Sequence, residues 1–319
     1  MSTMRSSYVS YGEGLRVVLV GAGRWGSNIA RALKELEAEG LIELYAVVDL
    51  DLDRAVEVSK AYGFKVAERD PATVSGDAYL VAVPIDSLFS TVLKVVDRAR
   101  CVFIEKPAAT SVGEAERLLD EVRSRGLVDQ VGYLVRFDPV SVELAKLVSL
   151  FKPYALRFRR LSRRPLHMRK YPVTLDLMSH DIDLAFHILG PENFKVVSSY
   201  LSPRDGPPQR ALGVVEYGDL EALFEADGIL PIKVREVDVL SERALVRADF
   251  VSRRILILSE SETTELRVND AEPLKEELRV FIERCYGEDL KAPTLEDSLK
   301  VLKVLKELHR LAQRERNLT

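Results

Sequence analysis

A glycine-rich turn between two hydrophobic patterns constrains the fold of this chain more than any other feature. The apolar run Leu15 to Val20 has the length of a buried strand, and the turn GAGRWG follows at residues 21–26. Residues 27–39 favour a helix, and the β-rich run from Ile42 to Val48 ends at Asp49. Strand, glycine turn, helix, strand and terminal acid in this order predict a βαβ unit of a doubly wound parallel sheet.

Each glycine of the turn has a physical reason to be there. Gly21 makes the tight turn, Gly23 lets backbone approach a pyrophosphate, and Gly26 lets the helix pack closely on the strand. The helix N-terminus offers unpaired N–H groups and a partial positive charge to phosphates. We therefore predict a dinucleotide site that includes Arg24 and Trp25; the alternative is a glycine-rich turn without a ligand.

Asp49 bears on the choice of dinucleotide. A carboxylate at the end of the second strand accepts hydrogen bonds from the adenosine ribose hydroxyls and repels a 2′-phosphate. Arg24 and Arg54 are close enough in sequence to weaken that preference. The sequence therefore favours NAD and leaves NADP open.

The alternation of strands and helices continues to residue 132. Strands are predicted at 77–83, 102–104 and 128–132, and helices at 87–98 and after Ser111. Val83, Pro84 and Glu105 fall at strand ends, on the carboxyl edge where ligands of parallel sheets collect, so we predict that they contact the cofactor. Lys106 follows directly, and Pro107 holds it in an extended conformation. The alternative for Lys106 is an ordinary surface lysine.

Four titratable residues share one predicted helix face within TLDLMSHDIDLAFHILG. Asp176, His180, Asp183 and His187 are spaced by four, three and four residues, which a repeat of 3.6 places on one stripe. The i, i+4 spacing would let the Asp176 carboxylate orient the His180 imidazole. A hydrogen-bonded core histidine and a divalent metal site are the alternatives. We interpret Asp183 as a supporting residue and His187 as structural.

The remaining chain is read as a strand-rich domain closed by helices. Strands are predicted at 195–201, 211–217, 221–226, 232–240, 244–250, 254–258 and 263–268, and helices at 273–286 and 294–314. Such closely spaced strands make a largely antiparallel sheet, suited to covering a cofactor or to pairing with another subunit. We predict a polar leader at 1–14, a dinucleotide domain at 15–135, a substrate and oligomerisation domain at 136–290, and a C-terminal segment at 291–319 that packs back on the N-terminal domain.

Composition excludes several other classes. A length of 319 residues suits two domains, and a net charge of -4 gives no reason to expect nucleic acid or an anionic membrane as partner. No apolar run is long enough for a membrane helix. Cys101 and Cys285 match no metal or redox spacing, so we expect reduced, buried thiols in a cytoplasmic protein.

A local excess of positive charge precedes the titratable stripe. Between residues 157 and 171 the chain has no acid and seven cations, which are Arg157, Arg159, Arg160, Arg163, Arg164, Arg169 and Lys170. Arginine forks match phosphate oxygens, so the segment could hold a diphosphate-bearing substrate. A solvated strand edge or a subunit contact is the alternative.

Taken together, these motifs resemble the Gfo/Idh/MocA family of oxidoreductases. The matching stretches are GAGRWG at 21–26, AVVD at 46–49, AVP at 82–84, EKP at 105–107, GYLVRFDP at 132–139 and the D-x-x-x-H-x-x-D from 176 to 183. The resemblance implies a Rossmann domain, an α/β second domain with a large open, mostly antiparallel sheet, and a nicotinamide between the two. It also implies a cis peptide bond between Lys106 and Pro107.

The family's chemistry implies roles for individual residues. The reaction would be oxidation of a secondary alcohol, with His180 as base, Asp176 orienting it, and Lys106 stabilising charge on the reacting oxygen. Within the family, the Arg-rich segment looks most like that of dehydrogenases acting on the 3-hydroxyl of UDP-N-acetylglucosamine. Substrate contacts are then expected from Arg136, Arg163, Arg164, Arg169 and His180. An inositol or free-sugar dehydrogenase and an NAD-sensing regulatory protein are the alternatives, and a homodimer or homotetramer through the C-terminal sheet is expected.

Overall fold

The computed structural model describes residues 14–190, 193–203 and 205–316. Apart from Gly14, the predicted polar leader lies outside these residues. The chain divides into two compact units, and each combines separate stretches of sequence. The first comprises the described residues up to Glu105 with Asp120–Gln130 and Leu274–Ala292, and the second comprises those of Lys106–Leu119, Val131–Pro273 and Pro293–Thr319.

The described residues form two sheets and eight α-helices. The helices are α1 (Arg24–Ala38), α2 (Leu52–Tyr62), α3 (Ile85–Val95), α4 (Val112–Arg125), α5 (Pro139–Phe151), α6 (Ser179–Leu189), α7 (Pro273–Cys285) and α8 (Leu295–Arg316). Short 3₁₀ segments occur at Pro71–Thr73, Leu134–Phe137 and Leu166–Lys170, and a π-helical turn spans Thr174–Met178.

The first unit is built on a six-stranded sheet in the order β3-β2-β1-β4-β5-β6. Its strands are β1 (Leu15–Val20), β2 (Ile42–Val48), β3 (Val66–Glu68), β4 (Ala78–Val81), β5 (Cys101–Glu105) and β6 (Val128–Gly132). The pairings from β3 to β5 are parallel, and the central strands β1, β4 and β5 are almost entirely buried, as expected of a parallel sheet. The predicted Rossmann domain is confirmed. Helix α2 and strand β3 were not predicted from the sequence.

Helix α7 packs within the first unit, which corrects the domain boundaries expected from the sequence. Phe281 is fully buried, and its ring meets that of Phe103 edge-on at 5.6 Å between centroids. The free thiols of Cys101 and Cys285 are both buried, and burial raises the pKa of Cys285. An apolar helix face that fits the sheet therefore places residues 274–292 in this unit.

The second unit is built on an eight-stranded sheet in the order β14-β13-β12-β11-β7-β10-β9-β8. Its strands are β7 (Ala155–Leu161), β8 (Lys195–Ser202), β9 (Arg210–Tyr217), β10 (Leu220–Asp227), β11 (Val234–Leu240), β12 (Leu245–Asp249), β13 (Arg254–Leu258) and β14 (Thr263–Arg267). Only the β7–β10 pair is parallel among these pairings, so the predicted mostly antiparallel sheet is confirmed.

Helices α5, α6 and α8 pack on one face of this sheet. The side chain of Leu308 on α8 lies so close to Gly213 on β9 that a Cβ there would overlap it. The C-terminal helix contacts β8 and α6 in the second unit, where the sequence analysis had expected it to pack on the N-terminal domain. Its Leu302, Leu305 and Leu308 are buried. No described helix is long and apolar enough to cross a membrane.

Candidate cofactor and catalytic sites

The glycine turn lies at the carboxyl edge of the six-stranded sheet, where β1 and β4 are neighbours and the strand order reverses. Gly21 has a φ of 106°, and its N–H donates to the Val48 carbonyl at 2.8 Å. A Cβ on Gly21 would overlap the Ala82 carbonyl, and one on Gly26 would overlap the Gly21 carbonyl. A Cβ on Gly23 would meet nothing within 4 Å. Two glycines are therefore required by packing, and the third leaves open space at the turn.

The N-terminus of α1 is arranged to accept an anion. Gly23 is the N-cap residue, no side chain caps the helix, and its first turn contains no acid. The first-turn side chains Arg24 and Trp25 are exposed, and the Trp25 Nε1 donates to the carboxylate of Glu105 at the end of β5. The helix start is thus fixed to the sheet edge by a side-chain bond, while its backbone amides are left for a ligand.

Asp49 joins the end of β2 to the glycine turn. Its Oδ2 accepts from the Ala22 N–H at 2.7 Å, and its Oδ1 accepts from the Asp51 N–H at 2.9 Å. The Arg54 guanidinium is 3.9 Å from Oδ1 and also pairs with Asp51. Because each carboxylate oxygen has a second lone pair, Asp49 retains acceptor capacity toward ribose hydroxyls. With Val83 and Pro84 at the same sheet edge after β4, these residues fit a dinucleotide.

Lys106 and Asp176 form the centre of the candidate catalytic site, and both belong to the second unit. The Lys106 Nζ donates to the Asp176 carbonyl at 2.9 Å and to its Oδ1 at 3.2 Å. Both side chains are largely buried, at 18% and 12% exposed. The Lys106–Pro107 peptide is cis, as the family resemblance implies. Lys106 is therefore held in place rather than exposed as an ordinary surface lysine.

The expected contact between Asp176 and His180 is replaced by a different arrangement. Asp176 lies in the π-helical turn Thr174–Met178, whose wider turn breaks the regular 3.6 repeat before α6 begins at Ser179. Asp176 bonds Lys106 and Arg164, and among the described residues the buried Nδ1 of His180 has no hydrogen-bond partner. Asp176 thus positions the lysine rather than the histidine.

His180 lies in a positively charged environment. Its ring meets that of Tyr133 edge-on at 6.5 Å between centroids. Burial, followed by the charges of Lys106, Arg160 and Arg235, lowers the pKa of His180 well below 6.5. The imidazole is therefore neutral near pH 7, which is the form that accepts a proton.

Asp183 and Arg136 form a buried ion pair. The Arg136 Nε and Nη2 donate to the two oxygens of Asp183 at 2.8 and 2.5 Å, and its Nη1 lies 3.4 Å from Asp297. Burial raises the pKa of Asp183 to about 6, and Arg136 opposes that rise. Because two carboxylates occupy its guanidinium, Arg136 anchors α6 and is not placed for the predicted substrate contact.

Three arginines of the basic segment, Arg159, Arg160 and Arg164, form ion pairs with acids of the second unit. Arg160 is buried and donates to Asp181 at 2.7 to 3.0 Å. Arg164 is buried, donates to the Tyr171 carbonyl at 2.9 Å and Gln209 at 2.8 Å, and lies 3.4 Å from Asp176. Its predicted substrate role is therefore replaced by a structural one. Arg163 is exposed and Arg169 half-buried, and they remain candidates for substrate contacts.

Sequence reasoning missed two features of this site. Asp181 was not recognised as the partner of Arg160, and Arg235 on β11 was not associated with the site at all. The alternation of β7 could have indicated that Arg160 faces the helices. No pattern near Arg235 indicates its neighbours, because a sheet pairing brings them together. No group of three His, Cys, Asp or Glu within the described ranges could hold a metal ion.

Gly23 and Gly26 differ in the space available for a side chain, so alanine at each position gives a matched pair of variants. Gly23→Ala should leave the free energy of unfolding within about 1 kcal/mol of wild type, because its φ of -71° suits alanine and the space is open. It should weaken NADH binding by about tenfold or more, because the methyl group occupies the approach of the pyrophosphate. Gly26→Ala should instead lower the unfolding free energy by about 2 kcal/mol through overlap with Gly21.

Urea unfolding followed by circular dichroism and NADH binding followed by fluorescence separate these two effects. A Gly23→Ala protein that is stable and binds NADH as tightly as wild type would contradict the site.

Comparisons with known proteins agree with this geometry. Residues 15–133 match the model of the Gfo/Idh/MocA oxidoreductase family with an NAD-binding Rossmann fold. The chain is 28% identical over 189 residues to a myo-inositol 2-dehydrogenase of Thermotoga maritima, a match that covers 56% of each protein. The chain therefore spans about half the length of this curated relative.

Solved structures extend the similarity of fold to both units. The UDP-N-acetylglucosamine 3-dehydrogenase of Acidithiobacillus ferrooxidans aligns with a TM-score of 0.82 at 19% identity, covering 94% of this chain and 98% of that one. A 3-ketoreductase of Actinomadura kijaniata, solved with NADP and TDP-benzene, aligns with a TM-score of 0.83 at 18% identity and the same coverage. The Rossmann region of the chain, with its glycine turn and terminal acid, therefore matches the Gfo/Idh/MocA family of NAD-binding oxidoreductases, and the similarity of the remaining chain to the solved structures is one of fold.

Proposed function

We propose that this protein is an NAD-dependent dehydrogenase that oxidises a secondary hydroxyl group of a sugar. The observation that carries the proposal is the Lys106 ammonium, held by Asp176 in the same unit as a neutral His180. A fixed cation and a neutral imidazole are the two groups that removal of a hydroxyl proton requires. The family whose model matches residues 15–133 consists of oxidoreductases, which supports the proposal.

The residues of the glycine turn would hold the cofactor. The open space at Gly23 and the uncapped start of α1 fit the pyrophosphate, and Asp49 fits the ribose hydroxyls. The Asp49 carboxylate would repel a 2′-phosphate, which favours NAD, although Arg54 lies 3.9 Å away. When bound, the nicotinamide would supply the hydride acceptor for the reaction.

The chain's own residues carry the proton chemistry. His180 takes the hydroxyl proton as the carbon–oxygen double bond forms. Lys106 donates a hydrogen bond to the reacting oxygen and stabilises the negative charge that develops there. Asp176 positions Lys106, and Arg164 on the other oxygen of Asp176 fixes the carboxylate in turn.

The substrate that we favour is the 3-hydroxyl of a UDP-N-acetylhexosamine. The similarity in fold to a UDP-N-acetylglucosamine 3-dehydrogenase and the run of cations without an acid at residues 157–171 support it. Inositol is the second candidate, because the chain resembles a myo-inositol 2-dehydrogenase in sequence. A nucleotide sugar carries a diphosphate that inositol lacks, so charge distinguishes the two.

Rates of NADH and NADPH formation with UDP-sugars, inositols and free aldoses test this function. NADH formation should be fastest with a UDP-N-acetylhexosamine, and activity confined to free polyols would contradict the substrate assignment.

His180→Gln and Lys106→Met should each lower kcat by about 100-fold or more, because each loses a group required for proton transfer or charge stabilisation. His187→Gln, on the same helix but exposed, is the matched control and should keep the wild-type rate.

The pH dependence of kcat/KM follows from the lowered pKa of His180. The neutral imidazole is the active base and is present above the pKa, so the rate of oxidation should stay constant as the pH falls to 6.5 and decline only below it. Lys106→Arg keeps the neighbouring charge and should keep the acid limb in place, whereas Lys106→Met should move it to higher pH. An acid limb of the wild type centred above pH 6.5 would contradict His180 as the base.

We further propose that the uncovered face of the eight-stranded sheet joins subunits in a homodimer or homotetramer. Tyr200, Leu212 and Leu223 lie on neighbouring strands of the face opposite the helices and are 37 to 46% exposed. A contiguous apolar surface of this kind is typical of a protein interface.

Light scattering after size exclusion tests this interface. Leu212→Glu should shift the protein to a smaller assembly because it places a charge within the apolar patch. Leu150→Glu introduces the same charge at an exposed apolar position near the end of α5 and should leave the mass unchanged. An unchanged mass for both variants would exclude this face as the interface.

A further inference from the structure

Three aspartates in α6 or in the turn before it are each neutralised by an arginine. Each of three aspartates pairs with a different arginine, in the pairs Asp176–Arg164, Asp181–Arg160 and Asp183–Arg136. Arg235 on β11 is the exception: among the described residues, no side chain accepts a hydrogen bond from its guanidinium and no carboxylate lies within 4 Å of it. Arg136, Arg160 and Arg164 are therefore engaged in ion pairs with aspartates, and Arg235 is not.

The pairing of strands places Arg235 close to the proposed base. In the antiparallel pair of β11 with β7, Arg235 is the direct partner of Arg160, so the two side chains lie on the same face of the sheet. Arg160 bonds Asp181, which is the residue after His180. Arg235 therefore lies one strand away from the arginine that holds the base-bearing helix.

The charges around Arg235 indicate that no neighbouring carboxylate neutralises its guanidinium. Burial, and next the charge of Arg160, lowers the pKa of Arg235 to about 10. Lys233 is two residues earlier, and Arg235 is the largest cause of its lowered pKa. The acids that act on Arg235 are Asp181, which is bound to Arg160, and Asp138, which caps α5 through the Val140 N–H at 2.9 Å. Neither acid lies within ion-pair distance of Arg235.

We propose that Arg235 and Lys233 form an anion subsite that binds the diphosphate of a nucleoside diphosphate sugar. The proposal rests on the dehydrogenase function above and names the residues that would select a phosphorylated substrate. A planar guanidinium can bind two phosphate oxygens together, and a neighbouring ammonium can bind a third. Two adjacent cations repel each other, and a bound anion relieves this repulsion. The subsite would therefore bind a dianion more strongly than a neutral polyol.

The loop that carries Lys233 is anchored next to the catalytic segment. The Arg164 N–H donates to the Gly228 carbonyl at 2.8 Å, and the Gly228 N–H donates to the Gln209 carbonyl at 2.8 Å. Arg164 in turn bonds the Asp176 that holds Lys106. The start of the loop is thus tied to the reacting centre, and its end leads into the strand of Arg235.

Isothermal titration of UDP into the protein saturated with NAD tests the subsite without requiring turnover. Arg235→Gln should weaken UDP binding by about tenfold or more, and Lys233→Gln by a smaller factor, because each removes a charged donor. Arg267→Gln, an exposed arginine on β14 of the same sheet, is the matched control and should bind UDP like wild type. Thermal unfolding and NADH affinity should be unchanged in all three variants.

Wild-type UDP affinity in Arg235→Gln would overturn the proposal, and so would the absence of UDP binding to the wild type. A loss of UDP affinity in Arg163→Gln, with none in Arg235→Gln, would assign the diphosphate to the basic segment instead. The proposed function is tested separately, by NADH formation in the wild type with UDP-sugars. If the function holds, Arg235→Gln should raise KM for the UDP-sugar about tenfold or more and leave kcat nearly unchanged.

Discussion

The ion pair between Lys106 and Asp176 is the interaction on which the rest of the site depends. Lys106 directly follows the last strand residue, Glu105, and Asp176 lies in the π-helical turn before α6. The pair is largely buried, and a buried charge is stable only when its hydrogen bonds are satisfied. Arg164 meets this requirement from the other side of the carboxylate. A single aspartate thus fixes the lysine and is itself fixed.

The charges around α6 explain how His180 stays neutral in a protein with a net negative charge. Asp181 and Asp183 lie on the same helix but are neutralised by Arg160 and Arg136, so neither stabilises an imidazolium. Lys106, Arg160 and Arg235 add positive potential at His180. Burial and these charges act in the same direction, toward the neutral imidazole. The pairing of each aspartate with an arginine therefore leaves His180, whose Nδ1 has no hydrogen-bond partner among the described residues, in its neutral form.

Local patterns in the sequence predicted most of the fold, and one prediction based on such a pattern was wrong for a physical reason. Leu15–Val20, Ile42–Val48 and Arg254–Leu258 were predicted with the observed bounds, because apolar runs and flanking glycines are local signals. The contact of Asp176 with His180 was not observed, because a π-helical turn interrupts the repeat on which that prediction depended. The segment 291–319 was assigned to the wrong unit, because an apolar stripe predicts burial but does not specify the surface that buries it.

By itself, the sequence determined the doubly wound sheet, the glycine turn with its acid at Asp49, and the identity of the titratable residues. Each of these depends on the spacing of residues within one or two elements. Only the tertiary structure decided which charges remain available. Arg136 and Arg164 are occupied by aspartates from elsewhere in the chain, whereas Arg235 is brought beside Arg160 by the pairing of β11 with β7. Pairing partners across strands and helices are set by packing of the whole unit, so residue type alone could not show which arginines are engaged in ion pairs.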